Sequence, residues 1–246
     1  MARPRTPLSG AALALLACFS ACSSAPAARP HVPPPVVQLG SMQEQMMAGA
    51  PSEGVALADV LAKPHAYAIG PLAGLRGELF VWDGTPFHSR IVDGTAQVRV
   101  EPGVRAAFLL ASHVRQWRDF AVPADVNDLA ELTAWLPRLL EKNRLGDDRL
   151  YALRLFGVAK TARLHVVDLA PGTPLDPDSL AAAGRPLELK EAPVQLLGFL
   201  APPGQSTCPI ASPPLHLHLR TLLGDVVGHV DDLTLAPGAT LELAWN

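Results

Sequence analysis

Basic runs are missing from this sequence, and so is any glycine-rich phosphate loop. Its 20 Lys and Arg face 23 Asp and Glu, for a formal net charge of -3. Nucleic-acid binding depends on clustered cations, so no nucleic-acid partner is expected. A nucleotide cofactor lacks its cradle and has no support either. Cysteine is scarce: Cys18, Cys22 and Cys208 are the whole complement. With two of the three near the N-terminus, no disulfide framework is expected, and Cys208 is read as a small buried hydrophobe. There is no internal repeat. What remains is an ordinary globular balance, 49% hydrophobic over 246 residues, enough for one sizeable core or two small ones.

The N-terminus opens with Arg3 and Arg5 and continues through an apolar stretch from Ala11 to Phe19. That stretch falls well short of the roughly 20 residues a membrane-spanning helix needs and has the form of a secretory signal. Small residues before Cys22, in Ser20-Ala21-Cys22, resemble a bacterial lipobox, whose cysteine is acylated. Residues 1–22 are therefore expected as a signal peptide with Cys22 as lipid anchor. Leu16-Ala17-Cys18 is the competing frame, and a plain signal peptide cut near Ala27 is the alternative to both. Export to the cell envelope follows from either reading. Residues 23–54, rich in Ala and Pro with Pro33-Pro34-Pro35 in the middle, are expected as a disordered tether. The folded domain is expected over 55–246.

Leu57, Val60 and Leu61 have helical spacing ahead of Pro64. Beyond Gly70 the period changes to two. Leu79 to Trp82, Phe87 to Val92 and Gln97 to Val100 are strand-like runs separated by Asp83-Gly84 and Asp93-Gly94, dipeptides that favour tight hairpin turns. A helix is expected from Asp125 to Asn143, capped by Asp125 or Asn127 and kinked or split at Pro137. Strands are expected again at Leu150 to Val158, Arg163 to Val167, Gln195 to Leu200, Leu215 to Arg220 and Val226 to Val230. The class is α+β, dominated by strands.

Leu215-His216-Leu217-His218-Leu219-Arg220 alternates without a fault, so on a strand both histidines project from one face and three leucines from the other. The chain then turns and returns as Val226-Val227-Gly228-His229-Val230. Whether His229 pairs with His216 or with His218, directly opposed residues of a hairpin share a face, and the three imidazoles converge. Three histidines are the ligand set of a catalytic zinc, with a fourth position left for water or substrate. The remaining histidines, at 31, 65, 88, 113 and 165, form no comparable set and are read as surface or core residues.

The run Leu215-His216-Leu217-His218-Leu219 followed by Gly228-His229-Val230 resembles the metal motif of α-acetolactate decarboxylases. Shorter matches lie upstream, at Leu75-Arg76-Gly77-Glu78, Tyr151-Ala152-Leu153-Arg154, Arg163 and Gly198-Phe199. The resemblance implies strand-dominated mixed or antiparallel sheets forming a partly closed barrel with a few peripheral helices. It implies Zn2+, or another divalent transition metal, on His216, His218 and His229, with Glu78 and Arg163 as catalytic residues. The implied partner is a small hydroxy-keto acid, decarboxylated to acetoin and carbon dioxide, and the implied assembly is a homodimer. Two departures accompany it. The family's Gly-Thr-Phe reads Gly70-Pro71-Leu72 here, and its acidic residue from a longer C-terminal tail has only Glu242 as a counterpart. A non-catalytic metal-binding lipoprotein is the alternative function.

Overall fold

The computed structural model describes residues 32–205 and 214–245. The stretch expected as a signal peptide, both candidate anchor cysteines and Cys208 lie outside them. Among the described residues no helix is long and apolar enough to cross a membrane.

In chain order the elements begin with β1 (Val36–Leu39), α1 (Met42–Ala48), β2 (Val55–Ala56), α2 (Leu57–Leu61) and β3 (Ala66–Pro71). A 3-10 turn (Ala73–Leu75) leads to β4 (Glu78–Trp82), β5 (Thr85–Val92), β6 (Thr95–Val100), β7 (Arg105–Ala106), β8 (Leu109–His113) and β9 (Gln116–Ala121). Then come α3 (Leu129–Lys142), β10 (Tyr151–Val167), α4 (Pro177–Ala183), β11 (Gly184–Leu200), β12 (Leu215–Thr221), β13 (Val227–Leu235) and β14 (Thr240–Trp245).

The first sheet has the order β1-β8-β3-β4-β5-β6 and the second β11-β12-β13-β10-β14-β9. Every pairing among the described residues is antiparallel, the second of the two arrangements, mixed or antiparallel, expected from the sequence. In the second sheet β10 pairs with both β11 and β13, which brings four strands round on themselves. The result is ring-like in part, since β14 and β9 continue as an open wing, and it is not a closed barrel. Tyr67, Ile69, Phe80 and Leu110 of the first sheet pack against Ala152, Leu197, Phe199 and Val227 of the second, which joins the two.

The hairpin turns follow the sequence closely. Asp83 and Gly84 have φ of 46° and 79°, and Asp93 and Gly94 have 50° and 76°, the paired positive values that a two-residue turn of this hand requires. Helix α3 is capped by Asp128, whose side chain accepts from the Glu131 N–H at 2.8 Å, rather than by Asp125 or Asn127. It also runs through Pro137 without dividing. Burial of Leu132, Leu136, Leu139 and Leu140 in the core outweighs the hydrogen bond that proline removes.

Two corrections follow, and the first enlarges the folded domain. Residues 36–48, expected within the tether, form β1 on the edge of β8 and the helix α1. Met42 is buried, and Gln45 donates to the Ala107 carbonyl at 3.0 Å while accepting from the Ser52 N–H. A stretch too polar to make a core of its own gains order by docking on one. The runs read as separate strands around Thr161 are one 17-residue strand, β10, which a bulge against β13 bends without breaking. Strand β11 likewise begins at Gly184 rather than Gln195. Its prolines, Pro186 and Pro193, fall where it has β10 as its ladder partner and β12 has not yet begun to pair, the edge position a proline tolerates.

Candidate metal centre

Strand β12 delivers its alternation as expected. Leu215, Leu217 and Leu219 enter the core beneath α3, while His216 and His218 stand buried on the opposite face. Of the two hairpin registers open to the sequence, the structure has His218 opposite His229. Gly228 makes room for this: a Cβ there would fall 3.0 Å from the His165 carbonyl oxygen and 3.2 Å from the Leu164 Cβ, so β13 approaches β10 more closely than a larger residue permits.

His216 Nε2 lies 3.3 Å from His218 Nε2 and 3.1 Å from His229 Nδ1. Ligand atoms on a tetrahedral ion with bonds of roughly 2.0–2.1 Å are themselves about 3.3 Å apart, so the spacing suits a zinc-like coordination edge. His218 Nδ1 donates to the Leu79 carbonyl at 3.0 Å, which fixes its tautomer and leaves the Nε2 lone pair for a metal. Burial depresses the pKa of all three, His216 to about 4 and the other two well below the usual value. They are therefore neutral at pH 7, the form that ligates. This group can hold a metal ion.

Glu78, the first residue of β4, is brought to the same place. Its carboxylate is buried; Oε1 accepts from the Val167 N–H at 3.2 Å and Oε2 lies 3.7 Å from His218 Nε2. Because His218 is held neutral, that approach is not an ion pair. Burial pushes the Glu78 carboxyl up to about 7, against the opposing influence of His165 and the Val167 hydrogen bond. Gly77 ahead of it has φ of 130°, and a Cβ would fall 2.1 Å from the Ser89 carbonyl oxygen, so glycine is needed to set Glu78 at this depth.

The histidines and Glu78 open on a cavity of about 570 Å³, which His165, Asp231 and a set of apolar side chains also line. His165 went unrecognised in the sequence. Its Nδ1 sits 2.7 Å from Asp231 Oδ1, its ring is 4.7 Å from that of His229, and together with His229 and Asp231 it makes a second group of possible ligands. Burial works to lower the His165 pKa, but the Asp231 hydrogen bond and the Glu78 carboxylate outweigh it, and the net shift is upward. No local motif announces His165. Its only signal is the β-alternation that puts residues 163, 165 and 167 on one face of β10.

Arg163 does not join the site. Its side chain is 66% exposed, lies 3.4 Å from Asp232, and is not among the cavity's lining residues. The ladder between β10 and β13 shifts register just after it, Arg163 pairing with Asp232 and Leu164 with Val230, so that Asp231 is the extra residue on β13. Glu242 is also elsewhere, ion-paired with Arg154 on β10.

A family model for alpha-acetolactate decarboxylase matches residues 37–245. No curated protein sequence matches. Among solved structures, the alpha-acetolactate decarboxylase of Bacillus subtilis strain 168 superposes with a TM-score of 0.69 at 20% identity, covering 86% of this chain and 85% of that one. The acetolactate decarboxylase of Bacillus subtilis subspecies spizizenii gives 0.68 at 20% identity, with 86% of each chain covered. A Staphylococcus aureus protein of unknown function, described as similar to alpha-acetolactate decarboxylase, gives 0.68 at 15% identity over 86% of this chain and 85% of that one. These likenesses establish the fold, and the family match extends from β1 to β14. The chain belongs to the alpha-acetolactate decarboxylase family.

Proposed function

We propose that this protein is a zinc-dependent decarboxylase that converts α-acetolactate to acetoin and carbon dioxide. The observation that carries the proposal is the convergence, in one cavity, of three neutral imidazoles at ligand spacing and a buried carboxyl group. Zinc on His216, His218 and His229 supplies Lewis-acid polarisation of the substrate oxygens when bound. Other divalent transition metals accept the same imidazole set.

The chain's own residues account for the rest of the reaction. Loss of carbon dioxide breaks the bond between the carboxyl carbon and the hydroxyl-bearing carbon, leaving an electron pair conjugated with the ketone. A proton must then reach carbon. Glu78, a buried carboxyl group 3.7 Å from His218 Nε2, is the group beside the ligands placed to hold and deliver it. His165, aimed by Asp231, is the basic side chain facing the substrate space, the role for which Arg163 is too far out. The apolar walls exclude water and so strengthen each of these polar contacts.

The N-terminal pattern supports export as a lipoprotein acylated at Cys22. Palmitate labelling lost in Cys22→Ser is the expected result, and labelling lost only in Cys18→Ser moves the anchor. A second reading, a non-catalytic metal-binding lipoprotein, is favoured by the outward Arg163 and by the engagement of Glu242 with Arg154. Acetoin formation from racemic acetolactate by zinc-loaded protein, abolished by chelation, is the expected outcome of the decarboxylase reading. Stoichiometric zinc with no acetoin establishes the second reading instead.

A further inference from the structure

The cavity is much larger and more apolar than acetolactate needs. Its volume of about 570 Å³ lies within the ~300–1,000 Å³ that encloses drug-sized ligands, whereas the carbon substituents of acetolactate are methyl groups. Met42 of α1, Leu75 of the 3-10 turn, Phe108 before β8, Val167 of β10 and Leu180 of α4 form one continuous hydrophobic cluster, and each of them also lines the cavity. Among the described residues no Lys or Arg lines it. Charge recognition is therefore confined to the neighbourhood of the histidines, Glu78 and Asp231. The remaining wall has nothing to offer a second carboxylate or phosphate.

We propose that the site selects 2-hydroxy-3-oxo acids carrying an apolar substituent larger than methyl, an alkyl chain or aryl ring seated among Met42, Leu75, Phe108 and Leu180. The proposal rests on the decarboxylase reading for the acid headgroup and on the cavity wall for the substituent. Helix α1 belongs to the segment that composition alone assigns to a tether. Its docking beside α4 gives the wall two of its apolar side chains, Met42 and Leu180.

The test uses zinc-loaded full-length protein and a series of straight-chain alkyl hydroxamates, from acetyl to octanoyl, followed by calorimetry. Burial of each methylene is worth about 0.8 kcal/mol, so affinity is expected to rise about threefold to fourfold per added carbon over the first several members. Leu180→Trp, which fills the chamber, is expected to collapse the ratio of octanoyl to acetyl affinity. Ala181→Trp, on the exposed side of α4, provides a second obstruction should the first variant not fold. In parallel, kcat/KM is measured for acetolactate and for its homologue with a hexyl group in place of the methyl on the hydroxyl-bearing carbon. A preference for the hexyl acid together with rising affinities supports the proposal. Acetolactate turned over with flat or falling affinities overturns it and leaves the decarboxylase reading standing. Rising affinities with neither acid decarboxylated overturn the acid as substrate while supporting the apolar occupant.

Discussion

Replacing Glu78 with glutamine should make the metal-free protein more stable above neutrality. The carboxyl ionises near 4.5 in an unfolded chain and near 7 in the fold, because burial disfavours its charge. Between those pH values the unfolded state binds fewer protons than the native state, so this group makes stability fall as pH rises. At roughly 1.4 kcal/mol per pH unit, the interval amounts to about 3 kcal/mol, fully developed above pH 7 and absent below 4.5. Glutamine does not titrate, and its carbonyl can still accept from the Val167 N–H. Urea unfolding in chelator, run in parallel on both proteins from pH 5 to 8, should therefore show curves that diverge with pH, the variant gaining up to about 3 kcal/mol. Working on metal-free protein keeps the ion's own charge out of the comparison. A difference that stays constant across the range, or a variant less stable at pH 8, would refute the burial argument.

Extended down to pH 4, the Glu78→Gln titration should show an acid limb, free there of the opposite trend that Glu78 gives the wild type. His216 is depressed to about 4, so the unfolded chain protonates first and stability is lost as pH falls from about 6.5 towards 4, by about 3 kcal/mol from this residue alone. No loss over that window would contradict a neutral buried imidazole. Arg163→Ala should alter kcat/KM for acetolactate by less than about threefold and stability by less than about 0.5 kcal/mol, as for exposed surface positions. A loss of a hundredfold would return Arg163 to the reaction. Gly77→Ala should cost about 1–3 kcal/mol in unfolding experiments, since the residue holds a positive φ and its new Cβ meets a backbone oxygen. An unchanged midpoint would mean that the backbone relaxes there freely.

The parts of the fold that were legible in the sequence are those governed by neighbours along the chain. The Asp-Gly turns, the faultless alternation around His216 and His218, and the leucine spacing of α3 each state their structure locally. Glu78 was singled out through resemblance, and its carboxylate lies 3.7 Å from His218 Nε2. The rest depends on partners far away. Residues 36–48 become ordered only because β8 and Ala107 are there to receive them. His165 reaches the cavity from near the end of a 17-residue strand, and its partner Asp231 lies 66 residues on. Arg163 sits two residues from His165, on the same nominal face, yet its side chain is exposed beside Asp232. Alternation alone does not distinguish them.

The central claim is that His216, His218 and His229 hold one metal ion. Elemental analysis of the purified protein after zinc loading and removal of free metal, set beside the same measurement on His218→Ala, tests it most directly. The account predicts one zinc per chain in the wild type and near-complete loss in the variant, which keeps two of the three ligands, whereas an ion held by His165, His229 and Asp231 would be unaffected. Full zinc retention by the variant would contradict it.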